Sequence, residues 1–269
     1  MQSPLRLPYD ALAQKLSHRR IDTDKPNFLN DAEHIDYVGQ DPQFIETYAC
    51  FIQRRTYSDS YRKQSEKLIR IASQVLHQEL ITDGRLGACI DASGVLTQVL
   101  ELLGVWSYQV VGALTVLFPP DSGIEPLYFY PYDVGKRQFA AAHSWIVAPP
   151  FAIVDVTIST QPYISGVNAF LPDVVLQPNV EIAEYTIEDV CSPSYVAAVR
   201  DAGHDKNELD KGIHTSLAEF HSAFPPSRVT HELTELKYIP NGITSMDGTL
   251  EETKAFILTV GTVSQSTMI

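Results

Sequence analysis

Three residues whose side chains support nucleophilic catalysis follow one another along the chain: Cys89, His143 and Asp155. A thiolate attacks a carbonyl carbon, an imidazole takes up and returns the proton, and a carboxylate fixes the tautomer of the imidazole. Cys89 follows Gly84 and Gly87 and opens an apolar helical pattern. The dipole and the free N–H groups of a helix start lower the pKa of a thiol and stabilise an oxyanion. The set therefore predicts acyl transfer through a thiol.

His143 and Asp155 lie on two short apolar runs joined by Pro149-Pro150, a pattern typical of two paired strands. Proline does not adopt the positive φ that a two-residue hairpin turn needs, so we expect a three-residue loop, 148–150. In that register His143 lies directly opposite Asp155, on the same face and within side-chain reach. A slip of one residue would place the two side chains on opposite faces.

Periodicity predicts the elements that position these residues. Helical spacing predicts helices at about 43–55, 59–80, 89–103, 186–201 and 206–222. Gly104 fits the left-handed position past the end of the helix that begins at Cys89. A run rich in Val, Leu and aromatic residues predicts a strand at 107–118, followed by a loop over about 119–139. A further strand pair is expected near 229–240 and 253–263, around Pro240-Asn241-Gly242.

These elements predict an α+β fold, in which a buried nucleophile helix packs on an antiparallel sheet of at least three strands. We divide the chain into an N-terminal helical segment, a catalytic core and a C-terminal α/β appendage that completes or covers the core. The ranges are 1–60, 61–160 and 161–269.

The composition excludes several classes of function. With 20 basic and 33 acidic residues the net charge is −13, which argues against binding to nucleic acid or to anionic membranes. The first residues lack the apolar core of a signal peptide, and no apolar run approaches the roughly 20 residues that span a bilayer. The three cysteines are odd in number and widely spaced, which does not indicate a framework of disulfide bonds. We therefore expect a cytoplasmic protein in which a free thiol stays reduced.

The segments around the three residues resemble those of the transglutaminase-like superfamily of papain-fold cysteine enzymes. "GACIDASGVLTQVLELLGV" resembles the nucleophile helix of that family, "HSWIV" its His-x-Trp strand and "VDVT" its Asp-x-Thr strand. The resemblance implies that Cys89 is the nucleophile, His143 the general base and acid, and Asp155 the orienting residue. Trp145 and Thr157 would be supporting positions. It also implies a papain-like core and no cofactor.

The chain departs from the papain pattern before the nucleophile, where papain-like proteases often carry a glutamine as oxyanion donor. Asp83 stands six positions before Cys89, and the nearest upstream glutamines are Gln74 and Gln78. The second oxyanion donor is therefore unassigned, and Gln78 and Gly87 are candidate supporting positions.

The long loop 119–139 contains a tyrosine-rich run that ends at Tyr132. We predict that it forms a substrate wall or lid, with Tyr130 as a candidate substrate contact. A more general interpretation is that these rings only pack.

"RLGACIDAS" also resembles the R-x-G-x-C-x-E-x-N segment of arylamine N-acetyltransferases, through Arg85, Gly87, Cys89 and the acidic Asp91. Their His strand lacks the following tryptophan, and Ser93 replaces their asparagine. This resemblance implies acetyl transfer from coenzyme A and ranks second.

Other reactive side chains carry no recognisable pattern. Cys50 and Cys191 have no companion residues and are predicted to be structural. The spacings of the C-terminal histidines match no zinc signature, so no metal is expected. These histidines are His204, His214, His221 and His231.

The function favoured by these observations is hydrolysis of an amide in a protein or peptide substrate through a Cys-His-Asp triad and an acyl-enzyme. Cleavage of a backbone amide would make the protein a peptidase, and attack on a glutamine side chain a deamidase. Transfer to an amine would make it a transglutaminase. A non-catalytic binding module that keeps the fold is the alternative outside enzyme chemistry.

Overall fold

The computed structural model describes residues 3–28, 41, 43–134, 142–163 and 166–244. In these ranges the α-helices are α1 (Tyr9–His18), α2 (Gln43–Arg54), α3 (Asp59–Thr82), α4 (Cys89–Leu102), α5 (Ile187–Val190), α6 (Pro193–Asp201) and α7 (Lys206–Ala223). The strands are β1 (Tyr108–Leu117), β2 (Leu127–Phe129), β3 (His143–Ala148), β4 (Phe151–Asp155), β5 (Val175–Gln177), β6 (Glu181–Ile182), β7 (Ser227–His231) and β8 (Thr234–Thr244). The predicted α+β class, with an antiparallel sheet, is confirmed.

All eight strands belong to one antiparallel sheet with the order β5-β4-β3-β1-β8-β7-β6. Strands β2 and β3 pair with the same side of β1, β3 along its first half and β2 along its second half. Only three residues, 178–180, join β5 and β6, which lie at opposite edges of this order. Such a connection spans at most roughly 14 Å, so the sheet must curl until its edges approach each other.

The two faces of the curled sheet carry separate hydrophobic clusters. Alternation along β3 directs Trp145 into a cluster with α1, α2 and the tyrosine and phenylalanine rings inside the curl. Ile146 points to the other face. It packs with Val154 of β4 and with Leu96 and Leu100 of α4, in the layer that α3 and α4 form on this face. Helix α4 is buried between α3 and the sheet, and this burial explains why its sequence is apolar on most sides.

Strands β1 and β8 are the longest pair and approach very closely at Gly112. A Cβ placed on Gly112 would lie 2.1 Å from the carbonyl oxygen of Ile239, so only glycine fits. The register changes here, with Val111 opposite Gly242 and Gly112 opposite Pro240. This bulge bends the sheet beside His143, which pairs with Gly112 from the other side.

The hairpin of β3 and β4 differs from the predicted register. The loop is Pro149-Pro150 alone, and the peptide bond between these two residues is cis. Ile146 pairs with Val154, two residues away from the expected pairing, and the register shifts again before Ala148. The three-residue loop was wrong. A shift of two residues nevertheless keeps His143 and Asp155 on one face.

Two further boundaries differ from the prediction. Pro240-Asn241-Gly242 is not a turn but the bulged part of β8, and β8 turns back to β7 at Glu232-Leu233 instead. The expected helix over 186–201 is split by Cys191 and Ser192, where Pro193 starts α6. The expected strand at 253–263 lies outside the described residues.

The helix of the candidate nucleophile begins at the predicted residue, Cys89, and ends at Leu102, one residue before the predicted end; Gly104 follows it with φ +77°. The predicted loop after β1 contains the short strand β2. No helix in the described part of the chain is long and apolar enough to span a membrane.

Candidate active site

Cys89 is the first residue of α4, where the helix meets the beginning of β3. The first backbone hydrogen bond within the helix runs from the N–H of Ala92 to the carbonyl of Ala88, so earlier N–H groups have no intrahelical acceptor. Sγ of Cys89 lies 3.9 Å from the carbonyl oxygen of Ala142, the residue before β3. The thiol is therefore held between a helix start and the strand that carries His143.

His143 is fully buried and joins Asp155 through one ring nitrogen. Nε2 of His143 lies 2.7 Å from Oδ2 of Asp155, which is also buried. The other ring nitrogen, Nδ1, forms no hydrogen bond of good geometry within the described residues. Cys89 is close enough to this ring for each group to shift the pKa of the other.

Asp155 is anchored by three further donors. Its Oδ1 accepts bonds from the backbone N–H of Thr157 at 2.9 Å and from the Thr157 hydroxyl at 3.0 Å. Its Oδ2 accepts a bond from the hydroxyl of Tyr238 at 3.1 Å. The carboxylate is thus satisfied without water, which offsets the cost of its burial.

His143 lowers the pKa of Cys89 and Asp155 raises that of His143, although the negative charge of Asp155 by itself works to raise the pKa of Cys89. Burial works to raise the pKa of Cys89, but the hydrogen bond and charge of His143 and the backbone N–H of Ser144 lower it overall. Burial works to lower the pKa of His143, but the Asp155 carboxylate raises it well above its ordinary value. Burial would raise the pKa of Asp155, and His143 and then Thr157 lower it. The shifts in the pKa of Cys89 and of His143 both act in the direction of a thiolate–imidazolium pair.

The other two cysteines behave in the opposite way. Burial raises the pKa of Cys50 to about 11 and that of Cys191 to about 12. All three thiols are free and largely buried, so burial alone does not distinguish Cys89. The presence of His143 does.

Aromatic rings enclose the imidazole of His143. The rings of Phe129 and Trp145 lie 5.3 and 6.4 Å away, centroid to centroid, and Trp145 is nearly parallel to the imidazole. Tyr238 packs edge-on against Trp145 at 5.1 Å. The predicted supporting positions Trp145 and Thr157 therefore lie beside the triad, Trp145 against His143 and Thr157 against Asp155.

Gly87 supports the start of α4 through its backbone. It has φ +71°, and its N–H donates to the carbonyl of Thr160 at 3.0 Å. This bond ties the turn before Cys89 to the segment that follows Asp155. Glycine suits this position because a side chain would be strained at that φ.

Gln109, which sequence reasoning did not single out, links the same layers. Its Nε2 donates to the carbonyl of Ile90 at 2.9 Å and to the hydroxyl of Ser144 at 3.0 Å. Both amide hydrogens are therefore used, and Gln109 holds α4 and β3 together rather than serving as an oxyanion donor. Its place near the start of a predicted strand, among apolar residues, was the signal that the sequence offered.

Gln78 and Tyr130 are not brought to the triad. Gln78 is exposed on α3. Tyr130 stacks on Tyr128, with ring centroids 5.7 Å apart. Both rings line a cavity of about 490 Å³, which Arg200 and Lys206 also line. Their neighbour Phe129, between them on β2, points to His143 instead.

Tyr238 is a second contact that sequence reasoning missed. It lies in β8, 83 residues after Asp155, and its ring is fully buried. The only signal was a predicted strand near 229–240, which says nothing about a partner so distant along the chain.

The C-terminal histidines form other contacts. His204 and His214 each lie near a carboxylate one helical turn away, and His221 lies 2.7 Å from the carbonyl of Pro240. Among the residues that the structure covers, no cluster of three or more His, Cys, Asp or Glu side chains is placed to hold a metal ion.

Comparison of the chain with protein-family models, with curated proteins and with solved structures finds no match. The transglutaminase-like resemblance therefore rests on the three sequence motifs.

Proposed function

We propose that the protein is a cysteine-dependent amide hydrolase with a papain-like core of the transglutaminase type, acting on a protein or peptide substrate. One observation carries the proposal. His143 has Asp155 2.7 Å from one ring nitrogen, and Sγ of Cys89, the first residue of a helix, lies 3.9 Å from the carbonyl oxygen of Ala142, the residue before His143. A nucleophile, a proton carrier and an orienting carboxylate thus meet in the order needed for acyl transfer.

In the first step the thiolate of Cys89 attacks the amide carbonyl carbon and forms a carbon–sulfur bond. The negative charge that develops on the carbonyl oxygen is stabilised by N–H groups at the start of α4, which lack acceptors within the helix. The imidazolium of His143 donates its proton to the departing amine as the carbon–nitrogen bond breaks, leaving a thioester on Cys89.

In the second step neutral His143 takes a proton from water, and the hydroxide so formed attacks the thioester. The carbon–sulfur bond breaks, the carboxylic acid leaves and the thiolate–imidazolium pair is restored. Asp155 stabilises the imidazolium in both steps without becoming protonated. The four hydrogen bonds at Asp155 hold the carboxylate in place for this role.

The architecture supports the family assignment at the level of element order. A buried helix with the cysteine at its start precedes antiparallel strands that carry the histidine and the aspartate. Peptidase, deamidase and transglutaminase chemistry share this arrangement and differ in the acyl acceptor and the amide attacked. We favour water because no set of residues in the described part of the chain points to a dedicated amine site.

The test measures all three outcomes on one set of glutamine-containing peptides and denatured proteins. Mass spectrometry detects new peptide termini, an enzymatic assay detects released ammonia, and a fluorescent amine reports transglutamination. We expect cleavage or ammonia release, abolished in Cys89→Ala and retained in Cys191→Ala, whose thiol lies outside the triad.

The other outcomes select the alternatives. Incorporation of the amine would identify a transglutaminase, and acetylation of Cys89 by acetyl-coenzyme A would identify an acetyltransferase. Absence of turnover, together with slow and unselective alkylation of Cys89, would overturn the proposal in favour of a silent binding module.

A further inference from the structure

We propose that Tyr238 is a positioning residue of the Cys-His-Asp constellation, holding Oδ2 of Asp155 and sharing that oxygen with His143. The inference deepens the proposed function and rests on it for its catalytic meaning, but its structural part can be measured without a substrate.

The contact is specific in its atoms. The hydroxyl of Tyr238 donates to Oδ2 of Asp155 at 3.1 Å, and Nε2 of His143 lies 2.7 Å from the same oxygen. Thr157 occupies the other oxygen, Oδ1, with two bonds. Without Tyr238 the carboxylate would still be held at one end by Thr157, but His143 would be the only partner at the other end.

The ring of Tyr238 is rigidly placed. It is fully buried, and it packs edge-on against Trp145 at 5.1 Å, the ring that lies against His143. Burial and the neighbouring Asp155 raise the pKa of Tyr238 well above its ordinary value, so the hydroxyl stays protonated and remains a donor. A residue of β8 thus fixes the orientation of a carboxylate on β4.

The electrostatic consequence has a definite direction. An O–H donor on Oδ2 places positive charge beside the carboxylate and weakens its attraction for the imidazolium. Removing the donor therefore raises the pKa of His143 further. The more strongly favoured imidazolium in turn stabilises the thiolate and lowers the pKa of Cys89. The titratable groups facing the pair are Cys89 on α4, Tyr163 after β4 and Tyr238 itself.

Tyr163 provides a matched control. It is close enough for the charges of Asp155 and Cys89 to raise its pKa, but its hydroxyl donates to the carbonyl of Ile158 at 2.7 Å and not to Asp155. Tyr163→Phe and Tyr238→Phe remove the same atom, from a partly buried ring and from a fully buried ring, and only the second removes a donor from Asp155.

The experiment follows the imidazole carbon resonances of His143 by NMR across pH, in the wild type and in both variants. We expect the His143 titration to move upwards by roughly half a unit to one unit in Tyr238→Phe and by less than a quarter of that in Tyr163→Phe. The low-pH limb of Cys89 alkylation by iodoacetamide should move downwards in Tyr238→Phe only. An unchanged or lowered His143 titration in Tyr238→Phe, or an equal rise in both variants, would overturn the inference.

A double-mutant cycle keeps the test decisive if Tyr238→Phe is poorly folded at high pH. At neutral pH the alkylation rate of Cys89 is compared in Tyr238→Phe, Asp155→Asn and the double variant. Because Tyr238 acts through the charged carboxylate, adding Tyr238→Phe to Asp155→Asn should change the rate less than twofold. Additive effects would contradict the inference. An unreactive Cys89 in the wild type would count against the proposed function alone, because the His143 titration needs no reactive thiol.

Discussion

At the scale of single residues, the environment of Cys89 is what separates it from the other two thiols. All three are largely buried, and burial disfavours the thiolate at each. Only Cys89 has a histidine and a helix start beside it, and these outweigh the burial. The reactive thiol is therefore distinguished by charge and hydrogen bonding rather than by exposure.

The first prediction is selective alkylation of Cys89 at low pH. In the folded protein, limiting iodoacetamide should label Cys89 near neutral pH, because its pKa is lowered, whereas burial raises those of Cys50 and Cys191 to about 11 and about 12. Peptide mapping by mass spectrometry over pH 5 to 9 measures the three rates. His143→Ala should remove the low-pH labelling. Equal labelling of the three cysteines would contradict the prediction.

A second prediction concerns Asp155→Asn. The asparagine amide donates to Nε2 of His143 and forces the proton onto Nδ1, so the imidazole no longer accepts the proton of Cys89. We expect turnover to fall by roughly 10³- to 10⁴-fold. Steady-state rates at saturating substrate measure the loss. Asp173→Asn is the control, because its carboxylate is 88% exposed and lies near His77 rather than the triad. A similar loss in the control would show that the effect is not specific to the triad.

At the scale of elements, the pairing of β1 with β8 determines the shape of the sheet around His143. Gly112 stands between His143 on β3 and the backbone of Ile239 and Pro240 on β8. The bulge in β8 bends the strands at this point. Tyr238 lies two residues before Pro240, the residue that pairs with Gly112. The close approach at Gly112 thus sets how β8 presents its tyrosine to Asp155.

We predict that Gly112→Ala destabilises the protein by about 3 kcal/mol, the upper range for overpacking, because its Cβ would lie 2.1 Å from a backbone oxygen that cannot move aside. Chemical denaturation followed by circular dichroism measures the free energy of unfolding.

Gly212→Ala is the matched control for this change. Gly212 lies inside α7, and a Cβ there meets no atom within 4 Å. Alanine should stabilise this helix by roughly 0.5–1 kcal/mol. If both alanine variants were equally stable, the close approach of β1 and β8 would not be a constraint in solution.

At the scale of the whole molecule, the sheet joins distant parts of the chain. Strands β1, β3 and β4 come from residues 108–155, whereas β8, which pairs with β1 along nine positions, comes from the last third. Asp189 of α5 adds a buried link between these strands. Its Oδ1 accepts a hydrogen bond from the hydroxyl of Thr115 of β1 at 2.7 Å and forms an ion pair with Nζ of Lys237 of β8 at 3.0 Å. The division of the chain at 60 and 160 remains a prediction, but one sheet spans the second boundary.

The final prediction follows from this continuity. A fragment of residues 61–160 lacks β8 and should not unfold cooperatively, since β1 would expose an apolar edge on the side that β8 covers. Thermal unfolding by circular dichroism compares it with the full chain. Mixing the complementary fragments 1–160 and 161–269 should restore a cooperative transition. A cooperative transition of 61–160 alone would contradict the prediction.

The sequence by itself determined features that depend on neighbours along the chain. Apolar periodicity and Gly104 defined the limits of α4, and alternation placed His143 and Asp155 on one face even though the register differed by two residues. The order of Cys89, His143 and Asp155 was readable because reactive residue types at element ends are local signals. Helical and strand periods are local properties of the backbone, so short patterns suffice to predict them.

Only the tertiary structure decided what depends on distant residues. The true register of β3 and β4 is seen only in the folded sheet, and the pairing of β8 with β1 turned Pro240-Asn241-Gly242 from an expected turn into a bulge. The contact of Tyr238 with Asp155, 83 positions apart, has no local signature. The same holds for the lowered pKa of Cys89, because burial and the position of His143 exist only after helix, strands and C-terminal third have packed together.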